Sequence, residues 1–258
     1  MKRVVPVLLF MLVAWVPLPL LRGDDASNKA DAKRGQSAQK LEKEIKVSVT
    51  ADYLLFLPEE YGKDEAKKWP VILFLHGAGE RGSDLNMVKA HGPPKIVEQR
   101  KDFPFIVISP QCPEGKWWDP TVLIALLDEV SENHAVDPDR VYLTGLSMGG
   151  YGTWETAIRH PDRFAAIAPI CGGGSKHQLR RIKHIPTWVF HGDKDPAVPV
   201  SASIEMVDAL KQAAGDVQFT RYPEAVHDSW TETYNTQKLY DWFLSHKRGE
   251  RKPAAAGK

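Results

Sequence analysis

Cysteine is scarce in this chain, and neither sign of charge predominates. The 258 residues include two cysteines, Cys112 and Cys171, so a small fold stapled by several disulfides is excluded. Lysine and arginine number 34 and aspartate and glutamate 33, which leaves a net charge of +1. Since no basic stripe or RNA-binding signature is present either, we expect no nucleic-acid partner.

Long uncharged runs are also rare, and the most prominent one stands near the start of the chain. Val4 to Leu21 carry no charge and follow the basic pair Lys2 and Arg3. This pattern predicts a secretory signal peptide over residues 1–23, with an uncleaved anchor as the alternative. Because three prolines in the run disfavour a spanning helix, we expect a secreted or periplasmic bacterial protein with no stable membrane span after signal removal.

Composition separates two polar segments from a globular middle. Residues 24–44 are polar and charged, with almost no large apolar groups, and residues 249–258 are similar. Such segments bury too little surface to order themselves, so they are predicted to be a disordered linker and a disordered tail. Residues 45–248, between them, are enough for one catalytic domain with a full core.

The most informative segment is R-V-Y-L-T-G-L-S-M-G-G-Y-G, residues 140–152. Its β-branched and aromatic residues predict a strand, which leads into G-L-S-M-G around Ser147 and then into a helix-compatible segment. A G-x-S-x-G sequence between a strand and a helix is typical of a nucleophile elbow. The glycines permit a turn too tight for a Cβ, and the turn presents the serine hydroxyl outward. We therefore predict Ser147 to be a nucleophile.

A serine hydroxyl needs a base and an orienting carboxylate to react at neutral pH. Both types of residue follow later strands, in the chain order Ser, Asp, His. Asp195 comes after the buried run T-W-V-F in a loop stiffened by two prolines, and Asp193 is the competing carboxylate. His227 comes after the last predicted strand, Val217 to Tyr222. We expect these side chains to meet Ser147 at the carboxyl edge of the sheet.

An oxyanion hole requires two backbone N–H groups. One is predicted to belong to Met148, directly after the nucleophile. The other is expected in the loop H-G-A-G-E-R-G, which follows a continuous apolar run at residues 71–75. We favour the N–H of Ala78, with that of Gly79 as the alternative. A phosphate-binding loop is the competing interpretation, but no G-x-x-x-x-G-K-[ST] sequence is present.

These motifs resemble those of bacterial α/β-hydrolases of the phospholipase/carboxylesterase-like ("predicted peptidase") group, which is similar to the feruloyl-esterase and polyhydroxybutyrate-depolymerase lineages. The resemblance spans residues 45–248. It is carried by F-L-H-G-A-G-E-R-G, S-P-Q-C-P-E-G-K-W-W, D-P-D-R-V-Y-L-T-G-L-S-M-G-G, H-G-D-K-D-P-A-V-P and H-D-S-W. It implies ester or peptide hydrolysis through an acyl-enzyme, without a metal or an organic cofactor.

The alternation of strand-like and helix-like segments predicts the α/β-hydrolase fold, a mostly parallel sheet of about eight strands with helices on both faces. Residues 45–50 and 53–58 are expected to form a leading hairpin. Only residues 172–185 separate two later strands, so we expect a minimal cap and an open site. Cys112 and Cys171 should end strands that are separated by two others, so we expect two free, mostly buried thiols.

Trp117, Trp118 and Trp230 lie on loops expected at the catalytic edge, and His91 is expected to add a wall to the pocket. Indoles stack on sugars and aryl acids, which favours a small-molecule or polysaccharide-linked ester over a long lipid chain. The alternative for Trp118 and Trp230 is that they pack the loops and shield His227.

Three functions are compatible with these patterns. The first is a secreted carboxylesterase with a Ser-Asp-His triad. The second is a serine peptidase related to prolyl oligopeptidases, which would need an added gating domain. The third is a non-catalytic binding protein with a hydrolase fold, which would usually have lost part of the triad. All three triad residues are available, and this favours an enzyme; no pattern indicates the oligomeric state.

Overall fold

The computed structural model describes residues 36–249. The predicted signal peptide, residues 1–23, lies outside the described residues, as do residues 250–258 of the predicted tail. The chain divides into two units, with the boundary between Val47 and Ser48. The described part of the first unit is exposed and contains no helix or strand. The predicted boundaries of linker, catalytic domain and tail stay predictions.

The second unit contains a sheet of seven strands in the order β1-β3-β2-β4-β5-β6-β7. Neighbouring strands are parallel except for β1, which runs antiparallel to β3. The strands are β1 (Tyr53–Phe56), β2 (Trp69–Leu75), β3 (Ile106–Pro110), β4 (Val136–Leu146), β5 (Ala166–Ile170), β6 (Thr187–Gly192) and β7 (Val217–Tyr222). The prediction of a mostly parallel α/β sheet is confirmed.

Six α-helices connect and cover the described strands. They are α1 (Gly92–Ile96), α2 (Pro120–Asn133), α3 (Met148–Arg159), α4 (Ser201–Gln212), α5 (Trp230–Asn235) and α6 (Gln237–Leu244). Short 3₁₀ helices occupy Ala78–Glu80, Met87–Ala90 and Lys176–Ile182. None of the helices within residues 36–249 has both the length and the apolar character needed to cross a bilayer.

The core forms two layers because successive side chains of a strand point to opposite faces. In β2, which is buried throughout, Val71 and Leu73 contact the layer of α2, α3 and α4, whereas Ile72 and Phe74 contact the layer of α5 and α6. A strand buried on both faces has no polar alternation, which explains the continuous apolar run in its sequence.

The prediction of a leading hairpin is wrong. Its missing first strand is the reason that the sheet has seven strands and not the expected eight or so. Tyr53–Phe56 is a strand, but it pairs with β3, and residues 45–50 form no strand. Ile45 and Val47 are 77% and 70% exposed, so their alternation with polar residues does not bury an apolar face. Alternation predicts a strand only where a partner strand and a core are available.

Strand order also explains the state of the two cysteines. Cys112 follows β3 and Cys171 follows β5, and β2 and β4 lie between these strands. Both thiols are buried and free, as expected. The same topology brings the ends of β2, β4, β6 and β7 to one edge of the sheet, where the predicted site residues lie.

Candidate active site

The turn between β4 and α3 has the geometry of a nucleophile elbow. Ser147 adopts φ 52° and ψ −116°, a conformation that is disfavoured for a residue with a side chain. A Cβ on Gly149 would lie 1.9 Å from the carbonyl oxygen of Leu75, and one on Gly145 would lie 2.4 Å from that of Gly149. Only glycine therefore fits on either side of the serine, as the sequence pattern predicted.

Three side chains that are distant in sequence form a hydrogen-bonded series at this turn. His227 Nε2 lies 3.0 Å from Ser147 Oγ, and His227 Nδ1 lies 2.7 Å from Asp195 Oδ2. Because the carboxylate accepts the Nδ1 proton, Nε2 of the neutral ring is free to accept the serine proton. Asp195 follows β6 and His227 follows β7, and each sits just past the carboxyl end of its strand.

Hydrogen bonds keep the Asp195 carboxylate ionised despite its burial. Burial alone would raise its pKa, but His227 and the backbone N–H groups of Val198 and Ala197 donate to it, and together they lower its pKa. Both backbone bonds reach Oδ1 at 2.9 Å. Asp193 points elsewhere, because its carboxylate accepts from Arg221 Nε at 2.6 Å. Of the two competing aspartates, only Asp195 meets the histidine.

His191, which the sequence did not single out, also contacts the Asp195 carboxylate. Its Nε2 lies 3.2 Å from Asp195 Oδ2 and 2.9 Å from the carbonyl oxygen of Val198, and its Nδ1 lies 2.7 Å from Ser203 Oγ. Burial lowers the pKa of His191, so the ring is neutral, and Nε2 carries the proton because it faces two acceptors. The available sequence signal was its place at the end of a buried strand, two residues before Asp193.

The loop after β2 brings a second group of polar side chains to the same edge. Cys112 N–H donates to His76 Nε2 at 3.0 Å, so His76 Nδ1 carries the proton and donates to the carbonyl of Gly77 at 2.6 Å. Burial lowers the pKa of His76, which keeps this ring neutral. Gly77 N–H in turn donates to Glu80 Oε2 at 2.9 Å. These bonds hold the loop beside Ser147. A Cβ added to Gly77 would lie 3.7 Å from the Cβ of Ser147.

The two residues predicted to donate to the oxyanion, Ala78 and Met148, each stand at the start of a helical segment at this edge. Ala78 is the first residue of a 3₁₀ helix and Met148 is the first residue of α3. The first N–H groups of a helical turn have no acceptor within that turn, so we expect both to be available to a ligand. Gly79 lies inside the 3₁₀ turn. The loop also has G-x-G-x-x-G spacing, but the short 3₁₀ turn lies within this spacing, and the long helix that a dinucleotide-binding loop requires does not follow it.

The aromatic residues predicted for substrate binding have different surroundings. Trp230 packs edge-on against His227 at 5.0 Å between ring centroids, and its ring centroid lies 5.5 Å from that of His91. Trp118 is half-buried and donates from Nε1 to the carbonyl of His76 at 3.2 Å. Trp117 is 64% exposed. Thus Trp118 and Trp230 do pack the loops of the site, whereas Trp117 is the indole available to solvent.

Comparisons with known proteins agree with the fold. Residues 119–245 match the Dienelactone hydrolase family. The protein named "Probable feruloyl esterase C" of Aspergillus terreus (strain NIH 2624) is 25% identical over 169 residues, which are 64% of this chain and 62% of that protein. Poly(3-hydroxyalkanoate) depolymerase C of Paucimonas lemoignei is 32% identical over 124 residues, 42% of this chain and 28% of that protein.

Among solved structures, a thermostable esterase is 35% identical to this chain and superimposes with a TM-score of 0.67. The match covers 78% of this chain and 60% of the esterase. The chain therefore spans less than two thirds of the length of each of these three relatives. By its sheet topology, its elbow and these similarities, the chain belongs to the α/β-hydrolase superfamily and is similar to esterases, with residues 119–245 matching the Dienelactone hydrolase family.

Proposed function

We propose that the protein is a carboxylic-ester hydrolase that works through a Ser147–His227–Asp195 triad. The observation that carries the proposal is the pair of hydrogen bonds joining these side chains, at 3.0 Å and 2.7 Å. A base must lie within hydrogen-bond reach of the proton it removes, and His227 Nε2 does. The similarity to esterases supports an ester as the substrate.

The proposed cycle uses only groups at this edge of the sheet. His227 accepts the Ser147 proton as Oγ attacks the ester carbonyl, and Asp195 stabilises the imidazolium that forms. The N–H groups of Met148 and Ala78 bind the oxyanion, with Gly79 as the alternative to Ala78. His227 then protonates the leaving alcohol. Water, deprotonated by His227, hydrolyses the acyl-enzyme and releases the acid.

The open surroundings of the site favour a small-molecule or polysaccharide-linked ester. Between β5 and β6 the chain forms only the 3₁₀ helix Lys176–Ile182, so this connection supplies no large cap. An uncapped serine can receive an ester group attached to a bulky alcohol or to a polymer. The exposed ring of Trp117 and the half-buried rings of Trp230 and His91 are the groups we propose to contact such a substrate.

The first experiment asks whether Ser147 is a reactive nucleophile. A fluorophosphonate probe should label the full-length protein at Ser147, and the label should disappear in Ser147→Ala but persist in Ser201→Ala, which changes an exposed serine at the start of α4. Absence of a Ser147 adduct would favour the non-catalytic binding protein.

A substrate panel then separates an esterase from a peptidase. We expect p-nitrophenol release from the acetate and butyrate esters and little cleavage of peptide amides. Preferential cleavage of the amides would favour the peptidase instead. Acetylated and feruloylated xylan fragments extend the panel to polysaccharide esters.

Export through residues 1–23 belongs to the same proposal. We infer a secreted or periplasmic enzyme from the basic start and the uncharged run that follows it. Fractionation of a bacterial host should recover the full chain outside the cytoplasm, shortened at its amino terminus, whereas a chain lacking residues 1–23 should stay inside. Equal distribution of the two chains would contradict export.

A further inference from the structure

A cavity of about 340 Å³ lies at the carboxyl edge of the sheet, apart from the triad. Its walls come from the loop after β3, the start of α2 and the residues before β1. The lining includes Thr50, Ala51, Gln111, Lys116, Trp117 and Val122. We call it the Trp117 cavity.

Strand order gives the distance of this cavity from the nucleophile. Tyr53 of β1 is opposite Pro110 of β3 in an antiparallel pair, so the start of β1 lies at the edge where β3 ends. β2 separates β3 from β4, the strand that leads to Ser147. At about 4.8 Å per strand, the cavity lies on the order of 10 Å from the elbow. A substrate bound at Ser147 would have to extend beyond its scissile ester to reach it.

Trp117 and Trp118 connect the cavity to the reaction centre. The Trp118 ring packs at 4.8 Å from the ring of His76 in the oxyanion loop, and a Cβ on Gly152 of α3 would lie 2.7 Å from it. This indole is therefore fixed between the cavity and the site. The Trp117 ring packs edge-on against the ring of Tyr151, with 6.2 Å between their centroids, and Tyr151 lies one helical turn after Ser147. Most of the Trp117 surface is exposed.

The lining combines an aromatic face with polar groups at the sides. Lys116 and Asp119 are exposed, and Thr50 adds a hydroxyl group. Gln111 is only 5% exposed; its Nε2 donates to two backbone carbonyls, but its Oε1 accepts no hydrogen bond from any residue that the structure describes. A ligand with a flat apolar face and many hydroxyl donors matches these groups, whereas an aliphatic chain matches only the apolar part.

The cavity has room for more than one ring. A neighbouring cavity of about 270 Å³ shares Thr50, Ala51 and Val122 with it and continues beside α2 to Glu129. From Asp119 to Glu129 a helix rises about 15 Å, at about 1.5 Å per residue. The two cavities together form an elongated groove that begins next to the catalytic edge and leads away from it.

We propose that the Trp117 cavity binds pyranose rings of an oligosaccharide whose ester is cleaved at Ser147. The exposed indole of Trp117 stacks on one ring, and the polar side chains around it bind the hydroxyl groups. The proposal rests on the proposed esterase function and narrows its substrate to an ester on a sugar polymer.

Binding of unesterified sugars tests the cavity independently of catalysis. Titration calorimetry with xylohexaose, cellohexaose and mannohexaose should detect binding of at least one of them to the full-length protein. Trp117→Ala should weaken this binding by about tenfold or more, Trp117→Phe should retain most of it, and Val122→Trp, which fills the cavity, should abolish it. Trp242→Phe, a half-buried tryptophan on α6, is the matched control and should bind like the wild type.

Kinetics on two esters connect the cavity with the reaction. Trp117→Ala should lower kcat/KM for an acetylated oligosaccharide at least about tenfold more than for p-nitrophenyl acetate, mainly through KM. Binding of none of the three sugars, or equal losses on both esters, overturns the cavity proposal. Failure of the wild type to cleave p-nitrophenyl acetate would instead count against the esterase function, so the two failures are distinguishable.

Discussion

The residues that follow the adjacent strands β4 and β5, Ser147 and Cys171, have similarly strained backbones but differ in burial and in the groups around them. Ser147 has φ 52° and Cys171 has φ 40°, both in the left-handed region that residues with side chains rarely occupy. The serine is half-buried and lies 3.0 Å from an imidazole nitrogen. The cysteine is fully buried, although its sulfur lies within 4.8 Å of a carboxylate oxygen of Asp195 and of a ring nitrogen of His227.

The difference shows that strain and proximity do not by themselves make a nucleophile. A thiol is intrinsically easier to ionise than a hydroxyl, but burial, with the charge of Asp195 as a smaller cause, raises the pKa of Cys171 to about 12. The hydroxyl of Ser147 has an aligned base and access to solvent. This contrast supports the proposed reactivity of Ser147 at the end of β4, and it predicts a packing role for Cys171 at the end of β5.

The largest expected effect comes from removing the hydroxyl at the end of β4. Ser147→Ala should lower kcat for p-nitrophenyl acetate by about 10⁵–10⁶-fold, since it removes the hydroxyl that is proposed to form the acyl-enzyme. Steady-state kinetics on purified protein measure this loss. Residual activity within tenfold of the wild type would contradict the role proposed for Ser147, because another group would then be the nucleophile.

The second test concerns the carboxylate that orients the base. Asp195→Asn should lower kcat by about 10⁴-fold, because an amide can no longer hold His227 with Nδ1 as the donor. Asp193→Asn, two residues away on the same loop, removes only an exposed ion pair with Arg221 and is the matched control. Similar losses in both variants would contradict the assignment of Asp195.

A smaller effect is expected from His191, a positioning residue. His191→Asn removes the ring next to Asp195 Oδ2, so the carboxylate is less rigidly held, and kcat should fall by about tenfold with KM little changed. His191→Gln, whose longer amide can still donate, should restore part of the loss. A shift of the acid limb of the kcat–pH profile in His191→Asn distinguishes positioning from a loss of folded protein, which would lower the amplitude without moving the limb.

The buried histidines also predict how stability depends on pH. Burial lowers the pKa of His191 and of His76 in the folded protein, so the unfolded chain binds more protons as the solution becomes acidic. Their contribution to stability is complete above the ordinary histidine pKa of about 6.5 and is lost as pH falls through the folded values. The free energy of unfolding, measured in urea, should therefore decrease below about pH 6.5, and less steeply in His191→Asn.

The smallest effect is expected from Cys171, which follows β5. Cys171→Ala should change kcat/KM less than about threefold and lower the free energy of unfolding by about 1 kcal/mol, because it removes packing and no reacting group. Iodoacetamide should modify Cys171 only after unfolding, as mass spectrometry of native and denatured protein can show. Rapid alkylation of the native protein with loss of activity would mean that the thiol is accessible and reactive.

Local patterns were sufficient to predict much of the fold and to nominate the residues of the site. G-x-S-x-G between a strand and a helix located Ser147, and loop positions after two buried strands located Asp195 and His227. These features could be read because glycine at a tight turn and apolar residues in a buried strand are local requirements. Residues 45–50 show the limit, since their alternation lacked the partner strand that would have made them part of the sheet.

Local sequence patterns specify the order of strands and helices, the tight turn at Ser147 and the set of residues able to act there. The three-dimensional arrangement was needed to show that Asp195 and not Asp193 meets His227, that His191 shares the same carboxylate, and that Trp117 faces a cavity. The physical reason is that these contacts join residues from different strands. Their distances depend on strand order and on the direction each loop takes past the sheet edge, which no single segment specifies.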